Sequence, residues 1–125
     1  MSRKIDVCQA ADLLKQAGPI LILTHRRPDG DTVGSAAALC RALRQVGKEA
    51  FVFANEDITP RLSFLLEGLT APADYAFDYV VAVDIADTSL LTESARVFAD
   101  RIDLTKAAGV YTVRGRYDES TLRDA

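Results

Sequence analysis

The fold is decided by residues 20–31, ILILTHRRPDGD, in which an unbroken apolar run gives way to a charged turn. The apolar part, Ile20–Leu23, has no polar alternation, which is typical of a strand buried on both faces of a parallel sheet. After the turn, apolar residues recur at helical spacing along one face of a helix predicted over residues 32–46. They are Val33, Ala36, Leu39, Cys40, Leu43 and Val46. This stretch therefore predicts a strand, a turn and a helix, in that order.

The rest of the chain repeats this alternation of strands and helices. Further strands are predicted over residues 50–54 and 79–83, with weaker patterns from Arg101 and over residues 110–113. Helices are predicted over residues 6–17, 61–67 and 89–100. Strands that alternate with helices favour right-handed crossovers and a parallel sheet. We therefore predict an α/β fold, a parallel sheet with helices on both faces.

Composition narrows the class of protein. A chain of 125 residues forms one domain at most, and its net charge of −3 comes from interspersed acids and bases. The chain therefore has no strongly basic region of the kind that binds long duplex nucleic acid. No apolar window reaches the roughly 18 residues of a membrane span and no signal-peptide core is present, so we expect a cytoplasmic protein without a membrane partner. Cys8 and Cys40 have no metal-ligand spacing, which indicates core residues in a reducing compartment.

The charged turn gathers one imidazole, from His25, and two carboxylates, from Asp29 and Asp31. Pro28 keeps the preceding residue out of the helical region, and Gly30 tolerates backbone angles that other residues resist. A tight turn of this kind lets the three side chains face a common space. An imidazole combined with carboxylates suits manganese, iron or zinc better than calcium or magnesium.

The residue types of this turn are also compatible with arrangements that hold no metal. Two carboxylates about 5 Å apart repel by roughly 3 kcal/mol at an effective dielectric of ~20. A metal ion offsets that repulsion, but so does a proton shared between the carboxylates, or the charge of Arg26 and Arg27. Pro-Asp-Gly is also ordinary turn chemistry, which is compatible with a solvated turn and a surface histidine.

A further acid, Asp84, directly follows the strand predicted over residues 79–83. In open α/β sheets, ligands bind beyond the carboxyl ends of the strands, and His25 and Asp84 both follow a strand. The pair favours a metal site over the alternative, in which Asp84 only caps the next helix. The helix after the turn begins close by and offers a phosphate seat, which Gly34 would leave open and to which Ser35 could donate.

These motifs resemble the DHH phosphoesterase family over about residues 5–104. The resemblance rests on the string His-x-x-Pro-Asp-x-Asp-x-x-Gly-Ser, which spans residues 25–35, and on the run over residues 80–84, VVAVD. Within the family, the chain is most similar to bacterial enzymes that degrade very short oligoribonucleotides and dephosphorylate 3′-phosphoadenosine 5′-phosphate. The resemblance implies that residues 1–104 are the N-terminal part of a DHH domain and that residues 105–125 are an atypical tail.

The resemblance also implies a set of metal ligands and a mechanism. His25 and Asp29 are expected to hold one Mn²⁺, Asp31 a second, and Asp84 to bridge both as the catalytic residue. The implied reaction is two-metal hydrolysis, in which activated water attacks phosphorus and the metals neutralise charge on the phosphoryl oxygens. The expected substrates are short oligoribonucleotides or a 3′-phosphorylated adenosine nucleotide.

One feature of the family is absent from this sequence. The motif Asp-His-His is not present, because the chain has one histidine, His25. We therefore expect the first metal to have most of its ligands, the second to lack an imidazole and a carboxylate, and the chain to be truncated and inactive alone. Two alternatives follow. One is a non-catalytic nucleotide- or partner-binding remnant of the fold, and the other is a hydrolase similar to pyrophosphatases or exopolyphosphatases.

Overall fold

The structure of this protein is a computed structural model. It describes residues 6–83, 85, 90–101 and 112–115, and over residues 98–101 and 112–115 it describes the backbone alone. The α-helices are α1 (Val7–Gln16), α2 (Gly30–Gln45) and α3 (Pro60–Ser63), with 3₁₀ helices at Phe64–Leu66 and Ser94–Arg101. The strands are β1 (Ile20–Thr24), β2 (Ala50–Val52), β3 (Tyr79–Val83) and β4 (Thr112–Gly115).

The four strands form one sheet in the order β2-β1-β3-β4. Strand β1 lies between β2 and β3 and is parallel to both, whereas β4 pairs with β3 in the antiparallel direction. Every residue of β1 and β3 is buried, as expected of strands without polar alternation. The predicted α/β fold with a parallel sheet is therefore confirmed, and β4 adds an antiparallel edge. The strand predicted from Arg101 falls mostly on residues 102–104, which lie outside the described residues.

The two faces of the sheet carry separate apolar clusters, because successive residues of a strand point to opposite sides. Ile20 and Ile22 pack in a cluster with Val33, Ala36 and other residues of α2. Leu21 and Leu23 point to the other side, where they belong to a cluster that includes Leu91 and Ala95. The helix predicted over residues 89–100 is, in its described part, a 3₁₀ helix that begins at Ser94.

The ends of the helices are set by local hydrogen bonds. At the start of α1, Asp6 and Gln9 form a reciprocal capping box, with bonds of 2.7 and 3.0 Å. Helix α2 begins at Gly30, two residues before the predicted start, because Asp29 caps it. It is followed by Gly47, which has a φ of 85° and so ends the helix as glycine commonly does.

The two cysteines differ in their surroundings. Cys40 is fully buried in the cluster under α2, as predicted. Cys8 is exposed, which corrects the prediction that it lies in the core. The reason is that α1 contributes its buried contacts through Leu13 near its end, whereas its first residue, Val7, is 85% exposed. Within the described residues, no helix has the length and apolarity that crossing a membrane requires.

Candidate metal centre

His25 follows β1 directly, and both nitrogens of its ring have partners. Nδ1 lies 2.6 Å from the carbonyl oxygen of Arg26, and Nε2 lies 2.9 Å from the hydroxyl oxygen of Thr32. Because a carbonyl oxygen can only accept, we assign the proton to Nδ1, and the lone pair of a neutral ring is then on Nε2. Metal-binding histidines are commonly held in this way, with the second ring nitrogen donating to a carbonyl. The ring thus presents Nε2 toward the start of α2.

Asp29 also lies at the start of α2, where it is the N-cap residue. Its Oδ1 accepts from the backbone N–H of Thr32 at 2.9 Å. That bond is the largest cause that lowers the pKa of the Asp29 carboxyl. Thr32 therefore contacts both predicted ligands, His25 through its hydroxyl and Asp29 through its amide. The imidazole and the first carboxylate are brought together as the sequence predicts.

The other predicted residues of the turn and helix lie along α2. Asp31 is exposed in the first turn, and Gly34 and Ser35 are half-buried one turn later. A Cβ placed on Gly34 would have nothing within 4 Å, so this part of α2 has room for a ligand. Helix geometry leaves the amides of residues 29–32 without acceptors inside the helix, and Gly34 lies beyond them. The predicted roles of Asp31 in metal binding and of Gly34 and Ser35 in phosphate binding stay predictions.

Asp84, the predicted bridging and catalytic residue, lies outside the described residues. Its neighbour in the chain, Val83, pairs with Thr24 in the sheet. Strands β1 and β3 therefore end level with each other at the edge that carries His25. Over the residues that the structure describes, which exclude Asp84, no three His, Cys, Asp or Glu side chains form a cluster able to hold a metal ion. The described donor set, an imidazole backed by a carbonyl beside a carboxylate, fits part of a transition-metal site.

The backbone of the turn corrects one expectation. The sequence predicts unusual backbone angles at Gly30, but this glycine is the first residue of α2. Instead Arg27 has a positive φ, of 49°. Its backbone N–H donates to Oδ2 of Asp57 at 3.0 Å, across 30 residues of sequence. A bond from a distant loop thus holds the unusual conformation, which the local sequence does not reveal.

Asn55 and Asp57 lie in the loop after β2, a segment whose position in the sequence lets it face this edge of the sheet but whose residues are more typical of an ordinary polar loop. Asn55 is 8% exposed, and its Nδ2 donates to Thr24 Oγ1 at 2.8 Å and to the carbonyl oxygen of His25 at 3.0 Å. Its Oδ1 accepts from the backbone N–H of Asp57 at 2.8 Å. A signal does exist in the sequence, because Asn55-Glu56-Asp57 follows the second strand at the same edge of the sheet.

Two further hydrogen bonds connect the segment after β3 to the segments after β1 and β2. The backbone N–H of Arg26 donates to the carbonyl oxygen of Leu90 at 2.6 Å. The hydroxyl of Ser94 donates to Glu56 Oε1 at 2.5 Å, which is the main cause that lowers the pKa of the Glu56 carboxyl. The segments that follow the three parallel strands are therefore bonded to one another around His25.

The sequence matches a known family over most of its length. The model of "DHH family, N-terminal domain" matches residues 19–113. The chain belongs to the DHH family. The DHH match includes all three parallel strands and α2, and with them His25, Asp29, Asp31 and Asp84.

A more detailed similarity covers a short part of this DHH chain. Over 46 residues the chain is 52% identical to a protein of Thermus thermophilus, named "Bifunctional oligoribonuclease and PAP phosphatase NrnA". The aligned stretch is 36% of this chain and 14% of that protein. The similarity thus spans a small fraction of the relative's length.

Proposed function

We propose that this chain provides a manganese site to a phosphoesterase that acts on short oligoribonucleotides or on a 3′-phosphorylated adenosine nucleotide. The observation that supports it best is the convergence of His25 and Asp29 on Thr32, at the edge where β1 and β3 end level. The family match and the name of the Thermus relative favour this substrate class. The cytoplasmic location stays a prediction from sequence.

In this proposal each residue of the chain has a defined task. His25 offers Nε2, and Asp29 and Asp31 offer carboxylate oxygens from the first turn of α2. Asp84, which directly follows the paired residue Val83, completes the set as a bridging ligand. When bound, Mn²⁺ supplies activation of water and neutralisation of charge on the phosphoryl oxygens. The open space beside Gly34, with the Ser35 hydroxyl one residue on, receives the substrate phosphate.

The metal site is tested by thermal unfolding with and without Mn²⁺. A ligand at roughly a hundred times its Kd stabilises a folded protein by about 2.7 kcal/mol, so Mn²⁺ should raise the Tm of the wild type. The variants Asp29→Asn and Asp84→Asn should lose this increase. Asp74→Asn is the matched control, because Asp74 is exposed in the connection that leads to the opposite end of β3. An equal increase in all four proteins would refute the site.

The reaction is tested by phosphate release in the presence of Mn²⁺. A chain that is active on its own should release phosphate from 3′-phosphoadenosine 5′-phosphate and cleave diribonucleotides, and Asp84→Asn should abolish both activities. Release from pyrophosphate or polyphosphate instead would identify the pyrophosphatase-like or exopolyphosphatase-like alternative.

A non-catalytic module is the alternative that the single histidine of the sequence favours. It predicts that Mn²⁺ binds and raises the Tm while every substrate stays intact. The thermal and the chemical assays together therefore separate a metal-binding module from an enzyme.

A further inference from the structure

The peptide group between Arg26 and Arg27 is bonded at both of its polar atoms. Its carbonyl oxygen accepts from Nδ1 of His25 at 2.6 Å, and its N–H donates to Oδ2 of Asp57 at 3.0 Å. The imidazole and the carboxylate are thus connected through one peptide plane. An N–H that donates to a carboxylate polarises the peptide, which makes its carbonyl a stronger acceptor.

Asn55 holds both ends of this connection. Its Oδ1 accepts from the N–H of Asp57, while its Nδ2 donates to the carbonyl oxygen of His25. The side chain is 8% exposed, and together with the bond to Thr24 three hydrogen bonds satisfy its amide, so it has little freedom to turn away. Asn55 therefore fixes the position of Asp57 relative to the His25 backbone.

We propose that Asp57 and Asn55 are positioning residues for His25, and that they hold its ring as the Nδ1–H tautomer, which places the Nε2 lone pair beside the Thr32 hydroxyl at the start of α2. Asp57 acts through the peptide between Arg26 and Arg27, and Asn55 acts by holding Asp57 and the His25 carbonyl. The carboxylate of Asp57 thus acts on the ring through a peptide group, whereas in other metal sites a carboxylate can accept from the histidine directly. The part of the inference that concerns metal binding rests on the proposed manganese site.

The tautomer of His25 can be measured in metal-free protein. His25 is the one histidine of the chain, so its signals need no assignment. In protein labelled with ¹⁵N-histidine, the ring nitrogens give one set of signals, and at a pH where the ring is neutral the wild type should show the proton on Nδ1. Asn55→Ala and Asp57→Ala should shift the ring toward the Nε2–H tautomer. Glu56→Gln is the matched control, since Glu56 lies between them and bonds to Ser94 instead.

The metal is the second readout, measured by titration of each variant with Mn²⁺. Loss of a partner outside the ligand shell typically weakens metal binding about 10- to 100-fold, and we expect that range for Asn55→Ala and Asp57→Ala. Asp57→Asn keeps an oxygen that can accept from the Arg27 N–H, so it controls for misfolding of the alanine variant. Its affinity for Mn²⁺ should fall less than that of Asp57→Ala. Glu56→Gln should bind as the wild type does.

The two readouts separate this inference from the proposed function. If the wild type binds no Mn²⁺ but the tautomer shifts in the variants, the manganese site is wrong and the positioning role stands. An unchanged tautomer in both Asn55→Ala and Asp57→Ala overturns the positioning role, whether or not Mn²⁺ binds. Unchanged Mn²⁺ affinity with a shifted tautomer overturns the part that concerns the metal.

Discussion

Asp57 holds Arg27 in a left-handed backbone conformation, by accepting from the Arg27 N–H at 3.0 Å while the φ of Arg27 is 49°. This conformation costs roughly 1–2 kcal/mol for a residue with a Cβ and is worst for a branched side chain. Arg27→Gly should therefore leave the free energy of unfolding unchanged or slightly raised. Arg27→Val should lower it by about 1–2 kcal/mol relative to Arg27→Gly.

Urea denaturation of the two variants measures this difference, with Arg26→Val as the control. Arg26 is also exposed but is not among the described residues with a positive φ. If valine lowers stability equally at both positions, backbone strain is not the cause.

Asp29 combines a helix cap with a predicted metal ligand, and substitution can separate the two roles. Asp29→Asn keeps a side-chain oxygen for the Thr32 N–H, so its Tm without metal should stay close to that of the wild type. Asp29→Ala removes the cap and should lower the Tm without metal. Both variants should lose the increase in Tm that Mn²⁺ produces. A lower Tm for Asp29→Asn without metal would show that charge, rather than the hydrogen bond, caps α2.

The two cysteines should differ sharply in their reaction with a thiol reagent. Cys8 is exposed, whereas Cys40 is buried and its Sγ lies 3.3 Å from the carbonyl oxygen of Ala50. Burial also raises the pKa of the Cys40 thiol, which lowers the fraction of reactive thiolate. In native protein one thiol should react quickly and the other only after unfolding. The Cys8→Ser variant should show no fast reaction, and a fast reaction there would contradict the packing of α2 on the sheet.

The sequence predicts the fold well where the signal is local and repeated. The unbroken apolar run of Ile20–Leu23 indicates that β1 lies inside the sheet, because a strand covered on both faces needs no polar alternation. The predicted start of α2 lies two residues late, because the apolar periodicity on which that prediction rests begins at Val33, whereas the Asp29 cap starts the helix at Gly30.

The support of the candidate site could not be predicted in the same way. His25 and Asp29 are recognisable from their residue types and spacing, but Asn55 and Asp57 contact the turn from 30 residues away. Their side chains are typical of an ordinary polar loop, and only the parallel register of β1 and β2 brings them to the turn. The conformation of Arg27 could not be predicted either, because it depends on Asp57 and not on the neighbours of Arg27 in sequence.

Tyr75 should make stability depend on pH in alkaline solution. Its hydroxyl donates to the carbonyl oxygen of Ile20 at 3.1 Å, and burial, followed by the charge of Glu49, raises the pKa of Tyr75 to about 12. In the unfolded chain a tyrosine loses its proton near pH ~10. Between these two values the unfolded state therefore binds fewer protons than the folded state, and stability falls as pH rises.

The Tyr75→Phe variant tests this dependence against the wild type. Below pH ~10 the variant should be less stable by about 1 kcal/mol, the usual net value of one hydrogen bond, because its ring still packs edge-on against Phe51. As pH rises past ~10, the wild type loses the contribution of Tyr75 and the variant does not, so the gap in free energy of unfolding should narrow. Urea denaturation of both proteins at pH ~8 and pH ~11 measures the gap on either side of the tyrosine pKa. A gap that stays constant would mean that Tyr75 ionises equally in the folded and the unfolded chain.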